Sequence, residues 1–298
     1  MKAGRIGLFL ATIGVFLLLT VAGPVLASPA AAGYPAVSGV TNYDLVGTPY
    51  YTGVTRLEAF GVLQSVYGVY PVDDQVSRRY LADTLIRMLQ LGDLVPAAEG
   101  PTIYTDVKAG SALSGEVNLL GELNIMEGQN GLFKPGAGLT QAGAVRSIMN
   151  ALSYGEGVNG FDNSTVIRTA AQVGLIDEQD FHPDQTLTMG QLALLLDKAL
   201  FTVQLPGSRV NLATARFGVQ FGPAWVIGSP VTGAPNDSLI FDSQVGAVSM
   251  HTPVPLLLAP GLDVDSYLGQ KVLVGVAQLN AGGQSGYQVV YLKVLPPN

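Results

Sequence analysis

The stretch that decides the fold runs Tyr104-Thr105-Asp106-Val107, then Leu123-Asn124-Ile125-Met126-Glu127-Gly128, then Leu132-Phe133-Lys134-Pro135, and closes on Leu139-Thr140. Ahead of its turn, Val117, Leu120 and Leu123 fall at helical spacing. Behind Thr140, Ala144, Ile148, Met149 and Leu152 do the same. Apolar residues three and four apart mark a helix with one buried face. Between the two stripes, Gly128-Gln129-Asn130-Gly131 carries turn chemistry and Phe133-Lys134-Pro135 adds an aromatic and a proline. The unit therefore reads as helix, turn-rich loop, helix.

The unit recurs. Val166, Ile167, Ala170 and Val173 precede Gly174-Leu175-Ile176, the loop Asp180-Phe181-His182-Pro183-Asp184, and Leu187-Thr188. Leu192, Leu195, Leu196 and Ala199 follow as the second stripe. A hydroxyl followed by such a stripe occurs at Thr55, Ser77, Thr140 and Thr188. The period is about 50 residues, which predicts repeats near 53–95, 104–154 and 161–203 within a helical region 53–205.

Each hydroxyl has a plain task. A Thr or Ser at a helix N-cap accepts from the amide three residues on, and an acid or amide there reaches back. Thr55 with Glu58, and Thr188 with Gln191, fit the full capping box; Ser77 and Thr140 keep the first half. The arginines one residue further, Arg56 and Arg78, have no capping task. A guanidinium suits a carboxylate because it grips it with two parallel hydrogen bonds.

In these motifs and their order, the region resembles the S-layer homology module of bacterial cell-surface proteins. The matching residues are Tyr104-Thr105-Asp106-Val107, Ile125-Met126-Glu127-Gly128, Phe133-Lys134-Pro135 and Leu139-Thr140, with Gly174-Leu175-Ile176 and Phe181-His182-Pro183 repeating them. Val54-Thr55-Arg56-Leu57-Glu58-Ala59 is the nearest copy of the family's helix-opening motif. The resemblance implies three modules in a pseudo-threefold bundle. It also implies non-covalent anchoring to a secondary cell-wall polysaccharide, including pyruvylated forms, and to peptidoglycan-associated glycans. Arg56 and Arg78 are the polymer-binding candidates it implies; Gln141 and Met189 stand at the same position in the other copies and cannot form a bidentate charged contact. The two arginines read equally as ordinary exposed helix charges on degenerate modules.

The flanks differ in kind. Lys2 and Arg5 precede an apolar run from Ile6 to Ala22, then Gly23-Pro24 and Val25-Leu26-Ala27. Positive start, apolar middle and small-residue end predict a signal peptide over 1–27, with an uncleaved anchor as the alternative. Residues 28–52 read as a linker. Beyond Leu205-Pro206-Gly207-Ser208 the pattern turns strand-like, with candidates at 209–221, 224–228, 238–242, 245–250, 254–258, 271–279 and 287–295. The fold expectation is a multidomain α plus β chain: an N-terminal all-α bundle of helix-loop-helix repeats and a C-terminal all-β small barrel or sandwich over 209–298.

Composition narrows the chemistry. The 298 residues hold no cysteine and two histidines, which excludes a thiol nucleophile and a cysteine-ligated zinc. A net charge of −7 argues against a nucleic-acid partner. The acidic pairs Asp73-Asp74 and Asp263-x-Asp265 read as solvated. No Walker A loop, dinucleotide fingerprint or nucleophile elbow occurs. The expectation is an exported, non-enzymatic surface protein of the cell wall or S-layer, with no cofactor and no metal. The alternatives are a self-assembly module that binds no glycan, and a wall hydrolase with its site in the β part.

Overall fold

The computed structural model describes residues 42–155, 163–228, 238–246, 248–257, 264–281 and 284–296. The expected signal peptide over 1–27 and the linker up to residue 41 lie outside them, as does Asp263. Residues 36–298 form one compact unit.

Besides a one-turn helix over Val95–Ala98, the α-helices among the described residues are α1 (Tyr51–Ala59), α2 (Arg78–Met88), α3 (Ala112–Glu122), α4 (Gln141–Ala151), α5 (Asn163–Gln172), α6 (Met189–Phe201) and α7 (Leu212–Phe217). Six of them form three pairs, α1–α2, α3–α4 and α5–α6, each joined by a turn-rich loop. The first helix of every pair stops the same way. Gly61, Asn124 and Gly174 take positive φ. The next two amides then fold back: Val62 and Leu63 donate to Leu57 O, Ile125 and Met126 to Leu120 O, Leu175 and Ile176 to Ala170 O. This left-handed stop satisfies the last carbonyls and turns two apolar residues inward. In the first two pairs a two-residue hairpin follows, Val66–Val69 and Gln129–Leu132, each closed by reciprocal backbone hydrogen bonds.

The second helix of every pair begins with the hydroxyl cap. Tyr80 N donates to Ser77 Oγ (3.1 Å), Gly143 N to Thr140 Oγ1 (3.2 Å) and Gln191 N to Thr188 Oγ1 (3.3 Å). Gln191 Oε1 in turn accepts from Thr188 N (3.1 Å). The two amides ahead of the capped one find acceptors in a different pair. Arg78 N and Arg79 N donate to Ala137 O and Pro135 O; Gln141 N and Ala142 N to Gln185 O and Pro183 O; Met189 N and Gly190 N to Asp74 O and Val72 O. One residue before each cap, the loops meet as a closed triangle. Val76 N donates to Leu187 O (3.0 Å), Leu187 N to Leu139 O (2.7 Å) and Leu139 N to Val76 O (2.9 Å). All three side chains are buried. Helix contacts follow the same cycle: α2 packs on α3, α4 on α5, and α6 on α1.

The structure corrects the first capping site. Thr55 is not at a helix start. It sits in the middle of α1, where its hydroxyl is buried without a partner among the described residues. Glu58 caps nothing there; it accepts from Asn42 Nδ2 (2.7 Å) and from the Ser65 hydroxyl, tying the entering chain to the turn after α1. The Thr-x-x-Glu spacing matched by coincidence on the first helix of a pair. Residues 42–52 are likewise not linker, since Leu45 and Tyr51 are buried in the helical core.

The β part is an open antiparallel sheet in the order β5-β2-β1-β6-β7, not a closed barrel or a sandwich. Its strands are β1 (Gln220–Gly228), β2 (Ser238–Phe241), β5 (Val254–Pro255), β6 (Lys271–Ala281) and β7 (Gln284–Val294); β3 (Gln244–Val245) and β4 (Val248–Ser249) pair separately. Register shifts at Val226/Gly228 and Gly275/Val276 bend it. Among the described residues the edges approach at a single bridge, Leu256 to Val289. The strand expected over 209–221 is mostly α7, capped by Asn211 at its start and by Gly218 in the left-handed region at its end. Val226, Phe241, Val272 and Val274 form a core of the sheet's own, whereas Ala277 and Val290 join the core of the helices. Gly275 makes that junction: a Cβ there would fall 2.8 Å from the Phe221 ring and 2.9 Å from Tyr291 Cβ.

Thr140→Ala removes a working cap and is expected to cost about 1 kcal/mol, a Tm loss of about 2–4 °C. Thr55→Val replaces an unpaired buried hydroxyl with a methyl group and is expected to leave Tm unchanged or raise it. Thermal unfolding followed by circular dichroism reads both.

Candidate functional site

The two arginines singled out by the sequence have different fates. Arg56 points inward and is 7% exposed. Its Nε and Nη2 donate to Asp197 Oδ1 (2.8 Å) and Oδ2 (2.5 Å), a bidentate pair between α1 and α6. Nη1 reaches Val290 O of β7 (3.4 Å). The guanidinium carbon lies 4.8 Å from the Phe201 ring centroid and 5.4 Å from that of Tyr291. Burial pushes the Asp197 carboxyl above its usual range while Arg56 pulls it back. With all three nitrogens engaged, Arg56 has no fork left for a sugar carboxylate. As a polymer-binding residue it is corrected: it fastens the last helix of the ring to the first, and both to the sheet.

Arg78 is half-buried at the first position of α2, and the loop of the second pair passes beneath it. Its Nε donates to Phe133 O (2.7 Å) and its Nη2 to Glu127 O (2.7 Å), and its guanidinium carbon stands 4.8 Å from the Phe133 centroid. Nη1 has no acceptor among the described residues. Asp106 accepts from the amides of Phe133 (2.8 Å) and Lys134 (2.7 Å), and these bonds hold its carboxyl below the usual range. Tyr104 packs its ring 5.7 Å from that of Phe133, and its hydroxyl accepts from Gly128 N (2.9 Å). Thus the residues of the deciding stretch build the platform on which Arg78 rests.

The equivalent positions confirm the geometry and vary the chemistry. Gln141 is buried and its Oε1 accepts from His182 N (3.0 Å), again reaching the loop of the next pair. Met189 is buried, and its carbonyl accepts from Tyr70 OH (3.2 Å). A guanidinium therefore remains at one of the three positions.

Beside Arg78, Arg79 is exposed and lines a shallow cavity of about 330 Å³ with Ser77, Tyr80, Asp83 and Glu116. Sequence reasoning did not single out Arg79 or Glu116; a carboxylate midway along helix α3, between Gly115 and the apolar Val117, was the available clue. Glu116 Oε2 is buried with no partner among the described residues. Burial and the charge of Asp83 push Glu116 up to about 7, against the pull of Arg79 and Arg87. Asp83 is itself paired with Arg87 one helical turn on. Among the described residues no cluster of His, Asp and Glu could hold a metal ion. No described helix is long and apolar enough to cross a membrane.

Two relatives match about half of this chain. The chain is 32% identical over 149 residues to the middle cell wall protein of Brevibacillus brevis, covering 49% of this chain and 14% of that protein. It is 28% identical over 149 residues to the surface layer protein of Brevibacillus choshinensis, covering 49% of this chain and 13% of that protein. The chain thus spans about one-seventh of the length of these relatives. No family model matches the chain.

Arg56→Ala leaves Asp197 buried without its partner and is expected to cost about 3–5 kcal/mol, read by denaturant unfolding. Glu116 makes a second prediction. Its carboxyl is raised on folding, so the folded state holds the proton more tightly. Its contribution to stability is fullest below pH 4.5, is lost as pH rises toward about 7, and changes no further above that. Discounted for the group's partial exposure, the loss is about 1–2 kcal/mol. Glu116→Gln should flatten that part of the pH profile.

Proposed function

We propose that the three helix pairs are degenerate S-layer homology repeats, at about 53–95, 104–154 and 161–203. On this reading they hold an exported, non-enzymatic protein on the bacterial cell surface by gripping an anionic secondary polysaccharide of the wall. Arg78 carries the reading. It is a guanidinium braced on the Phe133 platform with Nη1 unengaged, one residue from the exposed Arg79. The backbone offers an anion nothing at this helix start, because the first three amides of α2 are already bonded to Ala137, Pro135 and Ser77. Charge recognition there falls to the two arginine side chains, whose planar fork matches a ketal carboxylate. The names of the two relatives, a cell wall protein and a surface layer protein, support the location.

The second reading is a scaffold that binds no glycan. It is favoured by Gln141 and Met189, which are turned inward where the other two guanidinium groups would stand.

The separating experiment incubates residues 36–298 with Gram-positive wall sacculi before and after acid extraction of the secondary polymer. Polymer anchoring predicts binding that extraction abolishes. It also predicts an affinity loss of tenfold or more, about 1.4 kcal/mol, in Arg79→Ala and in Arg78→Ala/Arg79→Ala, with Gln141→Ala unaffected. Binding that survives extraction, or none to either preparation, overturns the glycan reading.

A further inference from the structure

The hairpins of the first two pairs are the same structure built from opposite chemistry. Both place two residues at positive φ: Asn130 and Gly131 in one, Tyr67 and Gly68 in the other. Asn-Gly is the natural choice for such a turn, since asparagine and glycine enter the left-handed region at little cost. Tyrosine is not. A bulky side chain there is an outlier that the surroundings must stabilise or that function must explain.

The surroundings do not stabilise it. The Tyr67 side chain is fully exposed, at 101% of its reference area, and the flanking Val66 and Val69 are 66% and 50% exposed. In the twin hairpin the tip is Gln129, Asn130 and Gly131. The first tip is uncharged, apolar and aromatic, whereas a tip serving only as a turn is polar.

A cavity of mixed apolar and polar lining, which includes Asn118, Glu122 and Glu127 beside Ile103 and Tyr104, lies elsewhere on the chain. An open cavity of about 460 Å³ is walled by α3 and the second hairpin. Ile103 stands on its rim at 81% exposure, Val117 lies within it, and Gly128 and Gly131 keep its hairpin side low. Glu122 supplies an acceptor at the edge for a phenol hydroxyl. We propose that the Val66–Val69 tip is a contact knob for a second copy of this chain, with Tyr67 seating in the cavity beside Ile103. Knob and cavity are different surfaces, so the contact is head-to-tail. Each bound copy presents a fresh knob and a fresh cavity, and growth continues as a ring or an open chain. The uncharged tip adds no like-charge repulsion between acidic copies. The cavity shares no lining residue with the one beside Arg79 and Glu116.

Sedimentation velocity of residues 36–298 at rising concentration tests it. The wild type should form species beyond the dimer. Tyr67→Asn and Ile103→Glu should each remain monomeric. Their equimolar mixture should form a dimer and stop, because the intact knob of one meets the intact cavity of the other. Tyr67→Asn should also raise Tm by about 2–4 °C, since the turn is relieved of its misfit residue, and this separates lost contact from lost folding. A wild type that stays monomeric, single variants that associate as the wild type does, or a mixture that stays monomeric would each overturn the proposal.

Discussion

A helix that starts in a protein interior has amides with no partner inside the helix, and burying them unbonded is costly. Here three helices begin around one point. A single side-chain cap serves one amide in each, and the two before it remain. The fold meets all three needs by lending carbonyls in a cycle, so that the loop of each pair closes the helix of another. Val76, Leu139 and Leu187 then come together as a hydrogen-bonded triangle with apolar side chains around it. The candidate site is a by-product of this arrangement. The residue after each cap is carried against the aromatic loop of the next pair, where Arg78 rests on Phe133 and Gln141 holds His182 N.

The third joint of the ring carries an added fastening. Where α6 returns to α1, an ion pair enclosed by Phe201 and Tyr291 does the fastening, and Phe60 links Phe201 to Phe217 of α7. Gly53 faces it across the joint, where a Cβ would come into ordinary contact, 3.4 Å from Asp197 Cβ. A buried ion pair contributes little net stability over an apolar substitute, yet it is intolerant of misalignment. Its value lies in register. It accepts one placement of the first helix on the last, and one placement of the sheet against both.

Two of the helix pairs and three of the four caps were readable because each rests on local chemistry: a hydroxyl, a left-handed stop, a stripe. Arg56 was misread for the same reason. Val54-Thr55-Arg56-Leu57-Glu58 has the local form of a helix start, and its correction depends on Asp197, 141 positions away. The better clue was Gly61-Val62-Leu63, which aligns with Asn124-Ile125-Met126 and Gly174-Leu175-Ile176 and marks what precedes it as the first helix of a pair. The start of the β part was also open to local reading, since Asn211 and Gly218 bracket a short helix. That the sheet is open, its edges meeting among the described residues at one bridge, is a long-range feature that no local pattern records.

The cyclic lending of carbonyls also has a temporal meaning. The loop of the first pair caps Met189 and Gly190, so the earliest part of the ring to be synthesised awaits the latest. No pair can complete its own hydrogen bonding, and contacts so distant in sequence form slowly. A chain built this way can close its ring of hydrogen bonds only when the last helix is present. The order of assembly is written into which loop serves which helix.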